Sequence, residues 1–242
     1  MEESRWLIWK KFFPDENHVW SLLYDRQNKR INDGDAVHSM VVDGYYKANL
    51  PSNHCPDAIE ISNKLFRKTW RKITNATSAY LSDEDRYTTL YDKHFPATNY
   101  IRSLKEIDFT PLPDLAHDYF GHMPLMFKPE IAMLQRKFAD IYKHANKEQK
   151  QEIYSLARYV IEYSIIKEEW KEKIFGAWLL SSPGDFQRFI KNEFIFLPAH
   201  LETILKTDRS PEKPHTHLFV YESFDEMKNM VEEYEKRIEY KR

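Results

Sequence analysis

Two histidines five residues apart, His117 and His122, are the side chains in this sequence best suited to holding a metal ion. On a continuous α-helix, residues with this spacing point about 140° away from each other, so both imidazoles could not face one ion. The neighbouring residues predict an interrupted helix: Asp114 can cap its start, Gly121 can adopt the left-handed conformation that ends it, and Pro124 prevents it from resuming. His122 would then lie just past the helix end, where both imidazoles can converge as two ligands of an iron site.

A third ligand is predicted at Glu162, which lies within an apolar helical stretch over residues 149–167. A buried carboxylate without a partner is costly, and a bound cation would offset that cost. Two simpler interpretations stay open: Glu162 could pair with Arg158 or Lys167, and the histidines could cap carbonyl groups at a helix end. The residue order excludes the zinc-protease motif, in which a Glu lies between His residues at i and i+4. Two imidazoles and one carboxylate match the non-haem ferrous site that leaves positions open for O2.

The elements that must position these side chains are predicted to be mostly helices, with a few short strands. Residues 149–167 carry a broad apolar surface at helical spacing without Gly or Pro, and a capping box of Ser223 and Glu226 begins a C-terminal helix. Ser82 is expected to cap a further helix over residues 83–93. The other predicted segments are helices around residues 19–24 and over 57–66, a loop over 51–56, an irregular stretch over 98–109, and strands over 194–197 and 217–221.

Length and composition indicate one soluble globular domain. The chain has 242 residues, 42% hydrophobic and 31% charged, and its formal net charge of −2 gives little attraction to nucleic acid. Cys55 is the only cysteine, which excludes a disulfide framework and fits a reducing compartment. No secretory signal begins the sequence and no stretch is apolar enough for a bilayer. We therefore expect a cytoplasmic protein without a membrane partner, as a monomer or small homo-oligomer.

Four ordered motifs resemble the aromatic amino acid hydroxylases, which are the pterin-dependent phenylalanine, tyrosine and tryptophan hydroxylases, and especially their short bacterial form. The family's Thr-Pro-Glu-Pro-Asp phrase with the following His-Asp/Glu-x-x-Gly-His reads here as residues 110–122, and its Val-Glu-Phe phrase as residues 161–163. Its Gly-Ala-Gly-Leu-Leu-Ser-Ser phrase corresponds to residues 176–182, and its Gln-Tyr-Ile-Arg phrase to residues 99–102. The likeness covers most of the chain and implies a single catalytic domain over residues 1–242, with a core over about 16–240 and no regulatory domain.

The resemblance implies a monooxygenase in which ferrous iron, O2 and a tetrahydropterin hydroxylate an aromatic amino acid or a related aromatic compound. It assigns the iron to His117, His122 and Glu162. It also implies that Arg102 binds the substrate carboxylate, that Asp114 orients Arg102, and that Thr110 gives the substrate a hydrogen bond. Ser181 would support His117 beside the substrate, and Asp118 would contact the pterin through water.

Several positions in the substrate and pterin pockets depart from the family pattern. Trp178 replaces the second glycine of the Gly-Ala-Gly phrase, and we expect its indole to close or reshape the space for the substrate ring. Arg158 replaces an aromatic residue and would favour an acidic or hydrogen-bonding substrate, unless it pairs with a local carboxylate. Ala157 replaces a tyrosine. Residues 79–86 replace the family's Gly-Leu segment with its stacking Phe, so Tyr80 or Tyr87 would have to supply the ring that stacks on the pterin.

Three functions are compatible with the sequence. The first is a pterin-dependent hydroxylase of an aromatic amino acid. The second is an iron oxygenase on the same scaffold with a different substrate and without pterin, and the third is a non-catalytic metal-binding protein that keeps the fold. Pterin dependence separates the first function from the second, and O2 consumption separates both from the third.

Overall fold

Helices make up most of the chain. The computed structural model describes residues 10–76, 81–108, 110, 112–207 and 215–239. Its helices are α1 (Pro14–Asp33), α2 (Ser39–Ala48), α3 (Ala58–Thr69), α4 (Asp83–Tyr91), π1 (His117–His122), α5 (Met123–Met126), α6 (Pro129–His144), α7 (Lys147–Ala157), π2 (Arg158–Glu162), α8 (Ala177–Ser181), α9 (Pro183–Ile190), α10 (Leu201–Lys206) and α11 (Phe224–Glu239), with a 3-10 turn at Leu104–Glu106. The strands are β1 (Lys72–Asn75), β2 (His94–Ala97), β3 (Ile165–Glu168), β4 (Lys171–Ile174), β5 (Ile195–Pro198) and β6 (His217–Tyr221). The predicted mostly α fold with a few short strands is confirmed.

Side chains that cap free amide groups begin three of the predicted helices. Asp57 accepts hydrogen bonds from the first turn of α3, Ser82 accepts one from the Asp85 amide in α4, and Ser223 accepts one from the Glu226 amide in α11. Each cap satisfies an amide that has no partner within the helix, which is why these polar residues mark the helix starts in the sequence. The capping predictions are confirmed, although α4 ends at Tyr91, two residues earlier than expected.

The strands form two small sheets. One contains the parallel pair β1 and β2, and the other has the order β4-β3-β6-β5, in which only β3 and β4 are antiparallel. Strand β6 matches the predicted residues 217–221, and β5 lies one residue later than predicted. In the four-stranded sheet, Ile165 of β3 pairs with Val220 of β6, immediately after π2. The sheet therefore anchors the end of the segment that carries Glu162.

Aromatic packing holds the histidine-bearing segment against the N-terminal helix. Trp20 of α1 is fully buried, its ring stacks on Phe120 at 4.5 Å between centroids, and its indole nitrogen donates to the Pro51 carbonyl. Every residue of π1 is buried. Burial of large rings contributes on the order of 2 kcal/mol each, so this contact fixes the position of the segment firmly.

The predicted helix stop at Gly121 and Pro124 is wrong. No described glycine has a positive φ, and residues 117–122 form a π-helical turn that continues directly into α5, with Pro124 in the first turn of that helix. A proline is tolerated there because the amide it lacks would have had no helical partner. A π-turn closes with i→i+5 hydrogen bonds, so residues five apart lie on nearly the same face. The wider turn therefore lets the imidazoles of His117 and His122 face one point, although the helix does not end between them.

The predicted helix over residues 149–167 also ends differently. The α-helical part stops at Ala157, π2 follows, and the chain enters strand β3 at Ile165. The amide of Tyr163 donates to the Arg158 carbonyl at 3.0 Å, which is the i→i+5 bond of a π-turn. The apolar run in the sequence concealed this change, because a buried helix and a buried strand both read as continuous hydrophobic residues.

No described helix combines the length and hydropathy that a membrane-spanning segment would need.

Gly121 allows π1 and α8 to lie in direct contact. A Cβ atom at Gly121 would lie 2.4 Å from the Ala177 carbonyl oxygen and 3.1 Å from its carbon, both of them backbone atoms. We predict that Gly121→Ala lowers the free energy of unfolding by about 1–3 kcal/mol, because a helix must shift to accept the methyl group. Denaturant unfolding measures the change. Gly184→Ala is the matched control, since nothing lies within 4 Å of that Cβ. Equal midpoints for the two variants would contradict the tight contact.

Candidate metal centre

Three side chains from two π-turns converge on one point. The Nε2 atoms of His117 and His122 are 3.1 Å apart, and Glu162 Oε1 is 3.2 Å from His122 Nε2. Glu162 Oε2 is 3.8 Å from His117 Nε2, and the three possible ligand atoms all lie within 4.8 Å of one another. The structure thus brings together the three residues that the sequence predicts as metal ligands. Two imidazoles and a carboxylate are the donor set of the facial triad that holds non-haem ferrous iron.

The carboxylate of Glu162 fits a bound cation and forms no ion pair with a lysine or arginine among the described residues. Its Oε2 atom is buried without a hydrogen bond to any described residue. The two pairings that the sequence left open do not form: Arg158 contacts His215, and Lys167 pairs with Glu222 at 2.6 Å. A buried oxygen of this kind costs several kcal/mol unless a cation satisfies it. A divalent metal ion between the three side chains would do so.

The protonation states of the ligands suit metal binding. Burial and the nearby His122 lower the pKa of His117 to about 3, so its imidazole is neutral near pH 7. Burial alone would raise the pKa of Glu162, but the adjacent His122 outweighs burial and holds that pKa below its usual range. Metals bind the neutral imidazole and the ionised carboxylate. Neither side chain therefore has to lose a proton before it can bind a metal at neutral pH.

Ser181 fixes which nitrogen of His117 faces the site. Its hydroxyl lies 2.8 Å from His117 Nδ1 and donates to the Ala177 carbonyl at 3.0 Å. A serine hydroxyl has one proton to donate, so it accepts from His117 Nδ1–H. The lone pair of Nε2 then points toward His122 and Glu162. Such a partner orients a metal-binding imidazole and selects its tautomer.

Asp114 and Arg102 form a buried pair beneath this segment. Asp114 Oδ1 accepts from the His117 amide at 3.1 Å, as expected of the helix cap, and from Arg102 Nη2 at 2.8 Å. Its Oδ2 accepts from Arg102 Nε at 2.8 Å and from the Arg102 amide at 2.9 Å. Only 3% of the Arg102 side chain is exposed. The predicted contact between the two residues is present, but the guanidinium is directed at Asp114 and is not part of the cavity wall.

A cavity of about 260 Å³ opens beside the three ligands. It is larger than the roughly 150 Å³ cavity that holds a benzene molecule, so an aromatic ring fits. Its walls are mainly apolar, with four charged side chains, and they include Leu81, Asp83, Arg86, Tyr87, Leu90, Phe95, Pro96, Thr110, Pro113, Gln135, Phe138, Tyr154, Ala157, Arg158, Ile161, Glu162, Tyr163 and Trp178. Of the predicted substrate residues, Thr110, Arg158 and Trp178 line this cavity, whereas Arg102 and Ser181 do not.

Trp178 forms one wall of the cavity and does not close it. Its ring lies 5.1 Å from the His117 ring and stacks at 6.2 Å on Tyr163. Its indole nitrogen donates to Asp185 Oδ2 at 3.0 Å, which fixes the ring in place. Trp178 thus reshapes the space beside His117, and the cavity persists next to it.

Of the described residues that were predicted to contact the pterin, only Tyr87 is found in the cavity wall. The side chain of Asp118 is buried and accepts a hydrogen bond from the Thr98 amide at 2.7 Å, and burial raises its pKa to about 6. Asp118 is not in the cavity wall, and Tyr80 lies outside the described residues. Tyr87 does line the cavity, and its ring stacks on Tyr142 at 4.3 Å.

Three cavity or near-cavity residues were missed in the sequence. Gln135 is a buried cavity residue whose Nε2 atom has no hydrogen-bond partner among the described residues. The sequence feature that could have revealed it is a polar side chain on the apolar face of α6. Arg86 also lines the cavity. His215 contacts Arg158 from 57 positions further along the chain, a proximity that no local pattern reveals. An unpaired amide beside apolar walls fits a planar heterocycle such as a pterin, because its polar edge needs such partners.

Two imidazoles and a carboxylate converging beside an apolar cavity define an enzyme of the mononuclear non-haem metal class. The family model described as biopterin-dependent aromatic amino acid hydroxylase matches residues 11–241. A phenylalanine-4-hydroxylase from Mesorhizobium japonicum is 31% identical over 224 residues, covering 90% of this chain and 79% of that protein. A tryptophan 5-hydroxylase from Xenopus laevis is 26% identical over 95% of this chain, which spans only 48% of that protein.

Solved structures show the same fold. The apo phenylalanine hydroxylase of Colwellia psychrerythraea superposes with a TM-score of 0.86 at 23% identity, over 99% of this chain and 93% of that one. The Fe(III)-bound phenylalanine hydroxylase of Chromobacterium violaceum gives 0.89 at 20% identity, over 99% and 88%. The chain therefore belongs to the biopterin-dependent aromatic amino acid hydroxylase family. It is an aromatic amino acid hydroxylase-like enzyme, and the prediction of iron and a tetrahydropterin as cofactors is confirmed by that family and by the His/His/Glu cluster.

Loading with ferrous iron tests the three ligands. Under anaerobic conditions we expect one ferrous ion per wild-type chain, and His117→Ala or Glu162→Ala should abolish stoichiometric binding because two donors cannot satisfy the ion. Metal analysis after gel filtration measures the ratio. His18→Ala, which alters an exposed histidine, is the matched control and should retain the iron. Full iron occupancy in either ligand variant would falsify the assignment.

His215 should make stability depend on pH. Burial, followed by the charge of Arg158, lowers its pKa from 6.5 to about 3. Below pH 6.5 His215 becomes protonated in the unfolded chain but stays neutral in the folded chain. The free energy of unfolding therefore falls as the pH falls toward 3. One such group contributes a slope of up to about 1.4 kcal/mol per pH unit. His215→Gln removes this contribution, and its unfolding free energy should decline less steeply with acid.

Denaturant titrations at several pH values compare these slopes. His54→Gln, a change at an exposed histidine, should follow the wild-type slope. A His215→Gln slope equal to that of wild type would show that His215 is protonated alike in the folded and unfolded chains.

Proposed function

We propose that this enzyme hydroxylates the ring of an aromatic amino acid or a related aromatic compound with O2, using ferrous iron and a tetrahydropterin. The observation that carries the proposal is the convergence of His117, His122 and Glu162 beside a cavity large enough for an aromatic ring. Membership in a biopterin-dependent family supports the same reaction. In this reaction one oxygen atom enters the ring, and the tetrahydropterin gives the two electrons that reduce the other.

The chain's own residues hold and shape the site. His117, His122 and Glu162 would bind the iron, with Ser181 keeping His117 Nε2 free to coordinate and Asp114 fixing the backbone of the same turn. Iron and pterin together would supply the activation of O2. The mainly apolar walls of the cavity would limit the access of water to the bound substrate.

The substrate ring would lie against an aromatic wall. Trp178 and Tyr163 present stacked rings next to His117, so a flat ring can pack there close to the metal ligands. Thr110 lines the same cavity and offers a hydroxyl to a polar group of the substrate. We also propose that residues 1–242 act as one catalytic domain with its core over about 16–240.

A second function, an iron oxygenase on the same scaffold with a different substrate, is favoured by particular residues of the cavity. Arg86, Arg158 and Trp178 give its wall two cations and an indole. These groups alter which molecule fits, and they leave the three metal ligands unchanged.

Oxygen uptake separates the two functions. The iron-loaded protein is mixed with a panel of aromatic amino acids, with and without tetrahydropterin. The proposed function predicts O2 uptake and a hydroxylated product only when both the pterin and an aromatic substrate are present, and His117→Ala should reduce both by at least about 1000-fold because the metal is lost. Uptake that proceeds without pterin would overturn the first function, absence of uptake with every aromatic amino acid would favour the second, and product formation by the metal-free variant would overturn both.

A further inference from the structure

Two guanidinium groups line the cavity beside the metal ligands, and neither forms an ion pair with a carboxylate of the described residues. Arg86 lies three residues after Asp83 in α4, and both line the cavity. The charge of Arg86 acts on Asp83 and opposes the rise in the pKa of that carboxyl caused by burial. Arg158 forms no ion pair with a carboxylate of the described chain. The charge of Arg86 therefore acts on two carboxylates of the cavity, Asp83 and Glu162, whereas the charge of Arg158 acts on the rings of His215 and Tyr163.

Neutral partners hold Arg158 in one orientation. Its Nε and Nη2 atoms donate to His215 Nε2 at 3.2 and 2.8 Å, and its Nη1 donates to the Tyr154 hydroxyl at 3.3 Å. The guanidinium carbon lies 5.1 Å from the centroid of the Tyr163 ring. His215 is uncharged at neutral pH, because burial and the charge of Arg158 lower its pKa to about 3. These contacts orient the cation and leave its charge intact.

Part of the guanidinium stays available to a ligand. A guanidinium has five N–H donors, and three of them account for the contacts with His215 and Tyr154. The other two have no partner among the described residues. A planar cation with free donors, fixed by its neighbours, is the arrangement that binds a carboxylate through charge-assisted hydrogen bonds.

The position of Arg158 places such a ligand within reach of the metal centre. Arg158 is the first residue of π2 and Glu162 is the last, and both side chains line the same cavity. Trp178 and Tyr163 form the aromatic wall between this cation and His117. A molecule whose carboxylate contacts Arg158 can therefore lay its ring along that wall.

The charge of the cavity also favours an anion. Its lining contains two cations, Arg86 and Arg158, and two carboxylates, Asp83 and Glu162. These four charges cancel, so a bound ferrous ion would leave the cavity with a net charge of about +2. Arg102 does not change this balance, because its charge is paired with Asp114 outside the cavity wall.

We propose that Arg158 binds the carboxylate of an aromatic substrate and thereby restricts this site to aromatic carboxylates, with the substrate ring held along Trp178. This inference rests on the proposed function and specifies its substrate class. It gives to Arg158 the contact with the carboxylate that the family resemblance assigns to Arg102. Arg158 is in this sense a specificity-determining residue.

Binding of two ligands that differ in one charge tests the proposal. Hydrocinnamate and hydrocinnamide share a phenyl ring and chain, but only the first is an anion. Calorimetry uses the iron-loaded protein without O2 or pterin. Wild type should bind hydrocinnamate more tightly than the amide. Arg158→Gln should weaken hydrocinnamate binding about 10- to 100-fold, the value of a charge-assisted pair, and change amide binding by less than about 3-fold.

Two further variants separate charge from shape. Arg158→Lys keeps the cation but loses the planar fork, so it should retain part of the preference for the carboxylate. Arg86→Gln is the matched control within the same cavity, and it should weaken hydrocinnamate binding less than Arg158→Gln does, because the charge of Arg86 already acts on Asp83 and Glu162.

Several results would overturn the proposal. They are equal binding of the two ligands to wild type, a carboxylate preference that survives Arg158→Gln, equal losses for both ligands in that variant, or no binding of hydrocinnamate to wild type. Because the readout is binding without turnover, it is independent of hydroxylation. Arg158-dependent binding without any pterin-dependent product would refute the proposed function and leave the carboxylate site in place.

Discussion

The close approach of two imidazole nitrogens to the carboxylate of Glu162 is the interaction on which this structure depends. Glu162 Oε2 is buried with no hydrogen bond to a described residue, and such a group is unfavourable unless a cation neutralises it. Two π-turns are needed to create the arrangement, one carrying both histidines and one ending at Glu162. Irregular turns of this kind are often found at functional sites, since the chain accepts poorer backbone geometry in return for side-chain position. The neighbouring elements act to hold these turns.

The groups around the ligands supply rigidity. Asp114 binds the backbone of the histidine turn and the guanidinium of Arg102 at once, all of it buried. Ser181 reaches His117 from α8, and Gly121 allows α8 to lie against the turn. A buried pair that loses one partner leaves an uncompensated charge, so Asp114 and Arg102 constrain each other strongly. The orientation of one imidazole thus depends on three separate segments of the chain.

The cavity shows how a shared scaffold can differ in specificity. Family membership accounts for the fold, whereas Trp178 and Arg158 in the cavity wall depart from the family pattern without disturbing that fold. Trp178 is compatible with the fold because its indole finds a partner in Asp185 and packs on Tyr163. Arg158 is compatible because His215 and Tyr154 accept its hydrogen bonds. Both side chains therefore line the cavity while neighbouring residues of the fold satisfy their hydrogen bonds.

The sequence by itself predicted the three residues that converge at the candidate metal centre, the capping residues and the mostly helical class. The caps and the helices depend on residue type and short spacing, whereas the choice of Glu162 also rests on the resemblance of its segment to the family. It also identified Trp178 and Arg158 as departures from the family. The two π-turns were decided only in the tertiary structure, because local sequence patterns do not distinguish an α-turn from the wider π-turn. Packing on β3 and α8 selects the wider turn. The partner of Arg158 was likewise undetermined until His215, distant along the chain, was brought beside it. Chemistry that resides in a single segment can be predicted from that segment, whereas the charge balance of a cavity requires all of its walls.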